Sequence, residues 1–403
     1  MKLLQINSVV NSGSTGRIAE EIGVMVMKHN WESFIAYGRY GNKSKSETIK
    51  IGSSFNVLIH GLYSRLFDKH GYASVIATKK LILQIKEMKP DIIHLHNIHG
   101  YYINFEILFD FLNELSVPVV WTLHDCWSYT GHCVHYFYEK CMRWQDHCHD
   151  CPQLSTYPKS FVDNSFNNYS KKRRVFNSLD NLSLVPVSKW LGSELHSSFL
   201  SPKQVKQIYN GVDLEVFRIE EAASKRKKLG LSNKFVILGV ANIWEERKGL
   251  LEFFKLSKSL GGDEVIILVG LSEKQTKSLP ENIIGIQKTE SVEDLVKFYN
   301  IADVFLNPTF EDTFPTTNIE ALACGTPVIT YDTGGSPEAI DLDTGWVVNV
   351  GDLKSVLKII NKLRNSDNFE LYKENCRARA LSLFNKNDRY LEYLNLYKSL
   401  LNN

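Results

Sequence analysis

Short apolar runs alternate with stretches of helical periodicity along most of the chain. Leu3–Ile6 reads as a buried strand, and Ile18, Ile22, Met25 and Val26 then recur at helical spacing over residues 16–30. Further buried strands are predicted at Ile92–Leu95, Val117–Leu123, Leu182–Val187 and Val205–Tyr209. The pattern restarts with Phe235–Val240, Val265–Val269, Ile283–Ile286, Val304–Leu306 and Val328–Tyr331, with helices between them. Strands that alternate with helices in this way build parallel sheets, so the predicted class is α/β. The restart follows Asn210-Gly211-Val212-Asp213 and a highly charged stretch, Glu215–Lys228, which together mark a boundary. Tyr390, Leu391, Tyr393, Leu394, Tyr397, Leu400 and Leu401 predict a last helix at about 387–401. There is no fixed-period repeat and no low-complexity tract.

The 403 residues exceed what one hydrophobic core organises and fit two domains. With 43% hydrophobic and 23% charged residues, the composition is that of a soluble globular protein. No run approaches the roughly 18–20 apolar residues of a membrane span, and the N-terminus passes straight into a strand rather than reading as a signal peptide. Seven cysteines, an odd number, then point to a reducing cytoplasm. The net charge of +2 is unevenly split: residues 1–210 hold 23 Lys and Arg against 17 Asp and Glu, and the remainder 24 against 28. The first half is basic enough to favour an anionic partner, such as a lipid-linked pyrophosphate or peripheral contact with the inner face of a membrane, with Lys171-Lys172-Arg173-Arg174 as its densest point. A solvated helix face explains that cluster equally well. Nothing is basic enough to suggest nucleic acid.

The densest chemistry runs from Leu306 to Ile340. A strand leads into a loop bearing Glu311 and Asp312, and the chain turns at Phe314-Pro315. A helix then starts at Thr316, carries Glu320 and stops at Cys324-Gly325. A second strand ends in Gly334-Gly335. Backbone N–H groups at such a helix N-terminus suit phosphate oxygens, and carboxylates beside them accept hydroxyl hydrogens. Glu320-Ala-Leu-Ala-Cys-Gly-Thr-Pro-Val328 resembles the donor-site signature of the family-4 retaining glycosyltransferases, in which a first acid stands eight residues before the Glu. That count lands on Asp312, so either Asp312 fills the position or one extra loop residue lets Glu311 reach it.

The resemblance runs nearly end to end and implies the GT-B fold: two Rossmann-like domains facing across a cleft, with the last helix crossing back onto the first. Residues 1–210 would bind the acceptor, 211–386 the nucleotide sugar, and 387–403 would form the returning helix. It implies transfer of a hexose, with retention and without a catalytic metal or other cofactor, from a nucleotide-diphospho-sugar, UDP-sugar favoured. The acceptor would be a saccharide or lipid-linked saccharide of bacterial surface polysaccharide synthesis. In the family a Lys before a Gly, with an Arg six positions earlier, neutralises the diphosphate. Lys248 matches the lysine; the arginine position holds Asn242, and Arg247 is the adjacent substitute. Glu320 would hold the ribose, Glu311 or Asp312 the hexose, and His124, at a strand end, would orient the sugar, with Phe314, Pro315 and Thr316 lining the nucleotide site. Gly13 and Gly16, after the first strand, permit close backbone approach to phosphate or acceptor. His94, His96 and His99 shape the acceptor side. A nucleotide-sugar epimerase or hydrolase, and a non-catalytic zinc-dependent binding module, are the rival readings.

Cys133, Cys141, Cys148 and Cys151 lie in a polar, aromatic-rich insertion at about 127–160, closest to glycosyltransferases of bacterial exopolysaccharide and O-antigen synthesis. The closing C-x2-C is a zinc half-site, though the leading pair is spaced too widely for a standard finger. A structural zinc and four reduced, partly buried thiols are both compatible with the spacing. Cys126, Cys324 and Cys376 read as packing residues.

Overall fold

The computed structural model describes residues 1–366 and 368–402 and divides into two units, Met1–Tyr209 with Asn387–Asn403, and Asn210–Lys386. Each is an α/β layer with a wholly parallel sheet, so the chain has two Rossmann-like domains. The first sheet contains β1 (Lys2–Asn7), β2 (Glu32–Tyr37), β3 (Glu47–Lys50), β4 (Ile92–Leu95), β5 (Val119–Leu123), β6 (Leu182–Pro186) and β7 (Gln204–Val205). Its spatial order is β3-β2-β1-β4-β5-β6-β7. The order reverses beside β1, and in open parallel sheets ligands bind beyond the carboxyl ends of the strands at such a point.

Strands β4, β5 and β6 are buried along their whole length, which is why they read as continuous apolar runs. β2 and β3 escaped the sequence reading because β2 starts on Glu32-Ser33 and β3 is an edge strand with three exposed residues of four. The strand expected at Val205–Tyr209 is only Gln204–Val205; beyond it Lys206 N and Ile208 N donate singly to Leu184 O and Pro186 O. The first long helix is Gly13–Met27 rather than 16–30. The Lys386–Leu401 helix packs into this unit, its Tyr390, Tyr393, Leu394 and Tyr397 sharing a core with Leu3, Ile22, Ile92 and Val120.

The second sheet contains β8 (Phe235–Val240), β9 (Glu264–Val269), β10 (Ile283–Ile286), β11 (Val304–Asn307), β12 (Val328–Tyr331) and β13 (Gly345–Val348), in the order β10-β9-β8-β11-β12-β13. Its reversal lies between β8 and β11. Ile237, Ile266, Leu268, Val304, Leu306 and Ile329 form its core with Phe253, Leu256 and Ile360 from helices Leu250–Ser257 and Leu353–Arg364.

Candidate active site

Three loops leave the carboxyl ends of β8, β11 and β12. The first runs from Ala241 through a short 3-10 turn, Glu246–Lys248, into Gly249. Gly249 has φ +77°, and a Cβ on it would stand 2.2 Å from the Pro308 carbonyl oxygen. Only glycine lets this turn lie against the loop that leaves β11. The two loops are then tied by Phe310 N donating to Arg247 O at 2.7 Å and Thr309 Oγ1 donating to the same oxygen at 3.3 Å. The third loop joins through Gly335 N to Asp312 O at 3.2 Å and Thr333 Oγ1 to Phe310 O at 2.8 Å.

This lacing sets Lys248 Nζ 2.5 Å from Asp312 Oδ2, with the two side chains 22% and 18% exposed. The other Asp312 oxygen accepts Phe314 N at 3.2 Å. Glu311, one residue earlier, is buried. Of the two adjacent acids, Asp312 is therefore the one on the lysine. Arg247 lies half-buried with its Nε donating to Glu245 Oε2 at 2.8 Å, and Asn242 is exposed. Neither of these meets Asp312 in an ion pair among the described residues.

Pro315 stands at the N-cap of the helix Thr316–Ala323 and offers its first amides no side-chain acceptor, which leaves them suited to an anion. One turn on, Glu320 is buried and accepts the Tyr299 hydroxyl at 2.9 Å. Asn318 braces the same helix, accepting from Asn307 Nδ2 at 2.8 Å and donating to Ser336 O at 3.2 Å. Tyr299 and Asn318 carry no motif of their own and were invisible before the fold was known.

In the first unit, the strand ends gather histidines. His96 Nε2 lies 3.0 Å from Gln5 Oε1, and Gln5 Nε2 donates to Ala19 O at 2.8 Å, so the Gln5 oxygen must face the ring. His96 is thus protonated on Nε2 and accepts at Nδ1, 3.2 Å from His124 Nε2. His124 therefore carries its proton on Nε2, and its Nδ1 is the acceptor. Burial keeps His94 and His96 well below the ordinary histidine pKa and lowers His124 to about 4 against the opposing pull of Asp125. Behind this row Tyr397 OH meets His94 Nδ1 at 2.7 Å, and His94 Nε2 meets Thr122 Oγ1 at 2.8 Å. Beside it His99 Nε2 pairs with Asp125 Oδ2 at 2.8 Å. Burial alone would raise Asp125, but the His99 pairing prevails and leaves it at about 2.

Gly13, with φ +62°, starts the Gly13–Met27 helix without a side-chain cap. A Cβ on Gly16 would lie 3.0 Å from Val9 Cγ2, so the helix start is pressed against the loop after β1. The four insertion cysteines all line one small cavity, although among the described residues no three His, Cys, Asp or Glu side chains are gathered as a metal site. The basic run does not form a free cationic face: Lys171 and Arg174 both pair with Glu106, and Lys172 is buried. No described helix is long and apolar enough to cross a membrane.

Two family descriptions match consecutive parts of the chain: "Glycosyltransferase Family 4" at residues 16–216 and "Glycosyl transferases group 1" at 219–380. The putative colanic acid biosynthesis glycosyl transferase WcaC of Escherichia coli K12 is 21% identical over 99% of this chain and 100% of its own length. An E. coli UDP-Gal:alpha-D-GlcNAc-diphosphoundecaprenol alpha-1,3-galactosyltransferase is 25% identical over 51% of this chain and 57% of its own. Among solved structures, Anabaena HepE in complex with UDP superposes with a TM-score of 0.70 at 15% identity, covering 99% of this chain and 100% of that one.

Proposed function

The chain belongs to the glycosyltransferases, with a Family 4 domain followed by a group 1 domain in the GT-B fold, and from that premise we propose that it transfers a hexose from a UDP-sugar to a lipid-linked saccharide, with retention, in bacterial surface polysaccharide synthesis. The observation that carries this reading is the convergence of Lys248, Asp312 and the uncapped Thr316–Ala323 helix at the reversal of the second sheet. The helix amides and Lys248 supply the fixed positive charge that a departing diphosphate needs. Binding of the diphosphate draws Lys248 from Asp312, whose carboxylate then accepts a hexose hydroxyl. Glu320, oriented by Tyr299, accepts from the ribose. For His124 of the first unit, whose Nδ1 is its acceptor, the family resemblance supports a role towards the sugar. The C1–O bond to the β-phosphate breaks, the acceptor oxygen bonds to C1 on the same face, and the hydroxyl proton passes to the leaving phosphate oxygen. These residues need no metal in their assigned roles.

The relatives' names support the polymer class: one is assigned to colanic acid synthesis and one acts on a diphosphoundecaprenol-linked sugar. The test is a nucleotide-sugar panel with and without a short polyprenyl-diphospho-saccharide, alongside calorimetric titration with UDP and GDP. Acceptor-dependent transfer from one UDP-sugar, with UDP bound in preference to GDP, is the expected result. Acceptor-independent turnover would establish the epimerase or hydrolase instead. A chain that binds neither nucleotide would leave only a binding role.

A further inference from the structure

The insertion after β5 encloses a cavity of about 20 Å³, room for one ion or one water. Cys133, Cys141, Cys148 and Cys151 all line it. Gly131 N donates to Cys148 Sγ at 3.1 Å. The rest of the wall has the same polarity. Trp144 Nε1 and Gln153 Nε2 are buried there without a hydrogen-bond partner. An indole and an amide nitrogen can only donate. Buried donors left without acceptors are rare in folded proteins and call for an explanation. Neutral thiols are poor acceptors; thiolates are strong ones.

Lys172 is buried against the same wall. It is 1% exposed, its ammonium donates to Trp127 O at 2.7 Å and Thr130 O at 3.0 Å, and it lies 3.6 Å from the Trp127 ring centroid. No carboxylate forms an ion pair with it among the described residues. A buried ammonium calls for negative charge nearby, and the Thr130 whose carbonyl it holds is part of the cavity wall. We propose that Cys133, Cys141, Cys148 and Cys151 bind one zinc ion as a tetrathiolate, hydrogen bonded by the donor wall and charge-balanced by Lys172. The thiols surround the cavity without yet closing on one point, and metal binding draws them in. Four soft thiolates select zinc, and binding would tie together a segment whose regular secondary structure, among the described residues, is a single turn at Arg143–Gln145.

Elemental analysis of the full chain, purified without added metal, should give one zinc per chain. Its four insertion thiols should resist a thiol reagent until a strong chelator is added. Cys141→Ser and Cys151→Ser should each lower zinc content at least tenfold, whereas His132→Ala should keep it. Should the cysteine variants fail to fold, cobalt exchanged into the native protein counts the thiolates through its sulfur charge-transfer absorption. Zinc near zero with all four thiols titratable in the native state would overturn the proposal. So would zinc lost from His132→Ala with three-thiolate absorption from cobalt.

A separate observation concerns the Ser54–Phe67 helix, which is inside out. It buries His60 and Ser64, where His60 Nε2 accepts Gly71 N at 3.1 Å, and exposes Phe55, Leu58, Ile59, Leu62 and Leu66. Those five positions share one helical face. Phe161, 74% exposed, stands at the end of this stripe with its N–H on Arg65 O. From Ser54 to Met88 the chain carries Arg65, Lys69, Lys79, Lys80 and Lys86, all exposed, against two acids, the exposed Glu87 and Asp68, which is buried on His132. Exposed Ile76 and Leu83 extend the apolar character into the next helix, Val75–Met88. An apolar stripe rimmed mostly by cations, five against the single exposed acid Glu87, matches an anionic lipid surface better than a second copy, which would repel those cations with its own. We infer that this face inserts into the headgroup layer of an anionic bilayer.

Co-sedimentation with phosphatidylglycerol vesicles should capture the protein, weaken with added salt, and fail with phosphatidylcholine alone. Leu58→Glu with Leu62→Glu, both solvent-exposed changes, should lower binding at least tenfold without altering the melting temperature. Vesicle binding unchanged by these substitutions would overturn the inference. The same holds if the native protein ignores both vesicles, whether monomeric or in a dimer that the substitutions dissociate.

Discussion

Lys248 and Asp312 meet at 2.5 Å with less than a quarter of either side chain exposed, so each holds the other where a diphosphate and a hexose would arrive. Lys248→Ala should lower transfer several hundred-fold or more, because one preorganised charge at a dry phosphate site is typically worth about 3–4 kcal/mol to the transition state. Its cost to folding should stay near 1 kcal/mol, since the pair is partly solvated. Steady-state kinetics with a thermal melt separate the two, and near-native transfer would dismiss the diphosphate role. The neighbouring acids make a sharper comparison. Asp312→Asn should abolish far more activity than Glu311→Gln, while the buried Glu311 should show its loss chiefly in the melting temperature. The reverse order of activities would move the donor role to Glu311. Counting back from Glu320 landed on Asp312 and left Glu311 open through one extra loop residue; in the structure Asp312 is the acid on Lys248, in a loop pinned by Phe314 N and Gly335 N.

Loops rather than strands carry the information the sequence withheld. Ile92–Leu95, Phe235–Val240 and Val328–Tyr331 are strands over the very residues their apolar runs predict, because burial on both faces demands such runs, while the edge strand Ile283–Ile286 was legible from its isoleucines although only Ile283 is buried. Edge strands β3 and β13 have no such demand on them and stayed unread. The polar partners of the candidate site were also unreadable: Tyr299 and Gln5 reach Glu320 and His96 across more than 20 residues of chain. Gly249 is where a loop depends most on one residue. Gly249→Ala places a methyl carbon 2.2 Å from Pro308 O at φ +77°, so the lacing between the first two loops must open. We expect about 2–3 kcal/mol of lost stability in the second unit, read by urea denaturation, and a weaker UDP titration. Unchanged UDP affinity would show that this lacing does not shape the nucleotide site.

All 12 histidines lie in residues 1–209, and the second unit has none. Burial lowers His60 and His124 to about 4 and drives His70, His94 and His96 well below their ordinary value. A histidine held neutral in the fold binds its proton only on unfolding, so the stability it confers is complete above about pH 6.5 and is lost as pH falls towards 4. At roughly 1–2 kcal/mol per buried histidine near pH 5, the first unit should unfold at a markedly lower temperature there than at pH 7.5, with the second nearly unmoved. Calorimetry at the two pH values reads this directly; parallel shifts of both transitions would contradict it.

The Lys386–Leu401 helix has a consequence for how the protein is made. A ribosome delivers residues 1–209 first, yet the tyrosines that meet His94 and Thr122 arrive only after the intervening 177 residues of the second unit, Asn210–Lys386, have been added. The unit begun first is therefore the one completed last, and a nascent chain halted at Lys386 holds a finished second unit beside a sheet whose core still lacks Tyr390, Tyr393, Leu394 and Tyr397. Limited proteolysis of such stalled chains should cut residues 1–209 rapidly and spare 210–386. Protection of the first unit should appear abruptly when Asn387–Asn403 emerge, so that the first unit cannot close its core before synthesis has passed through the whole of the second.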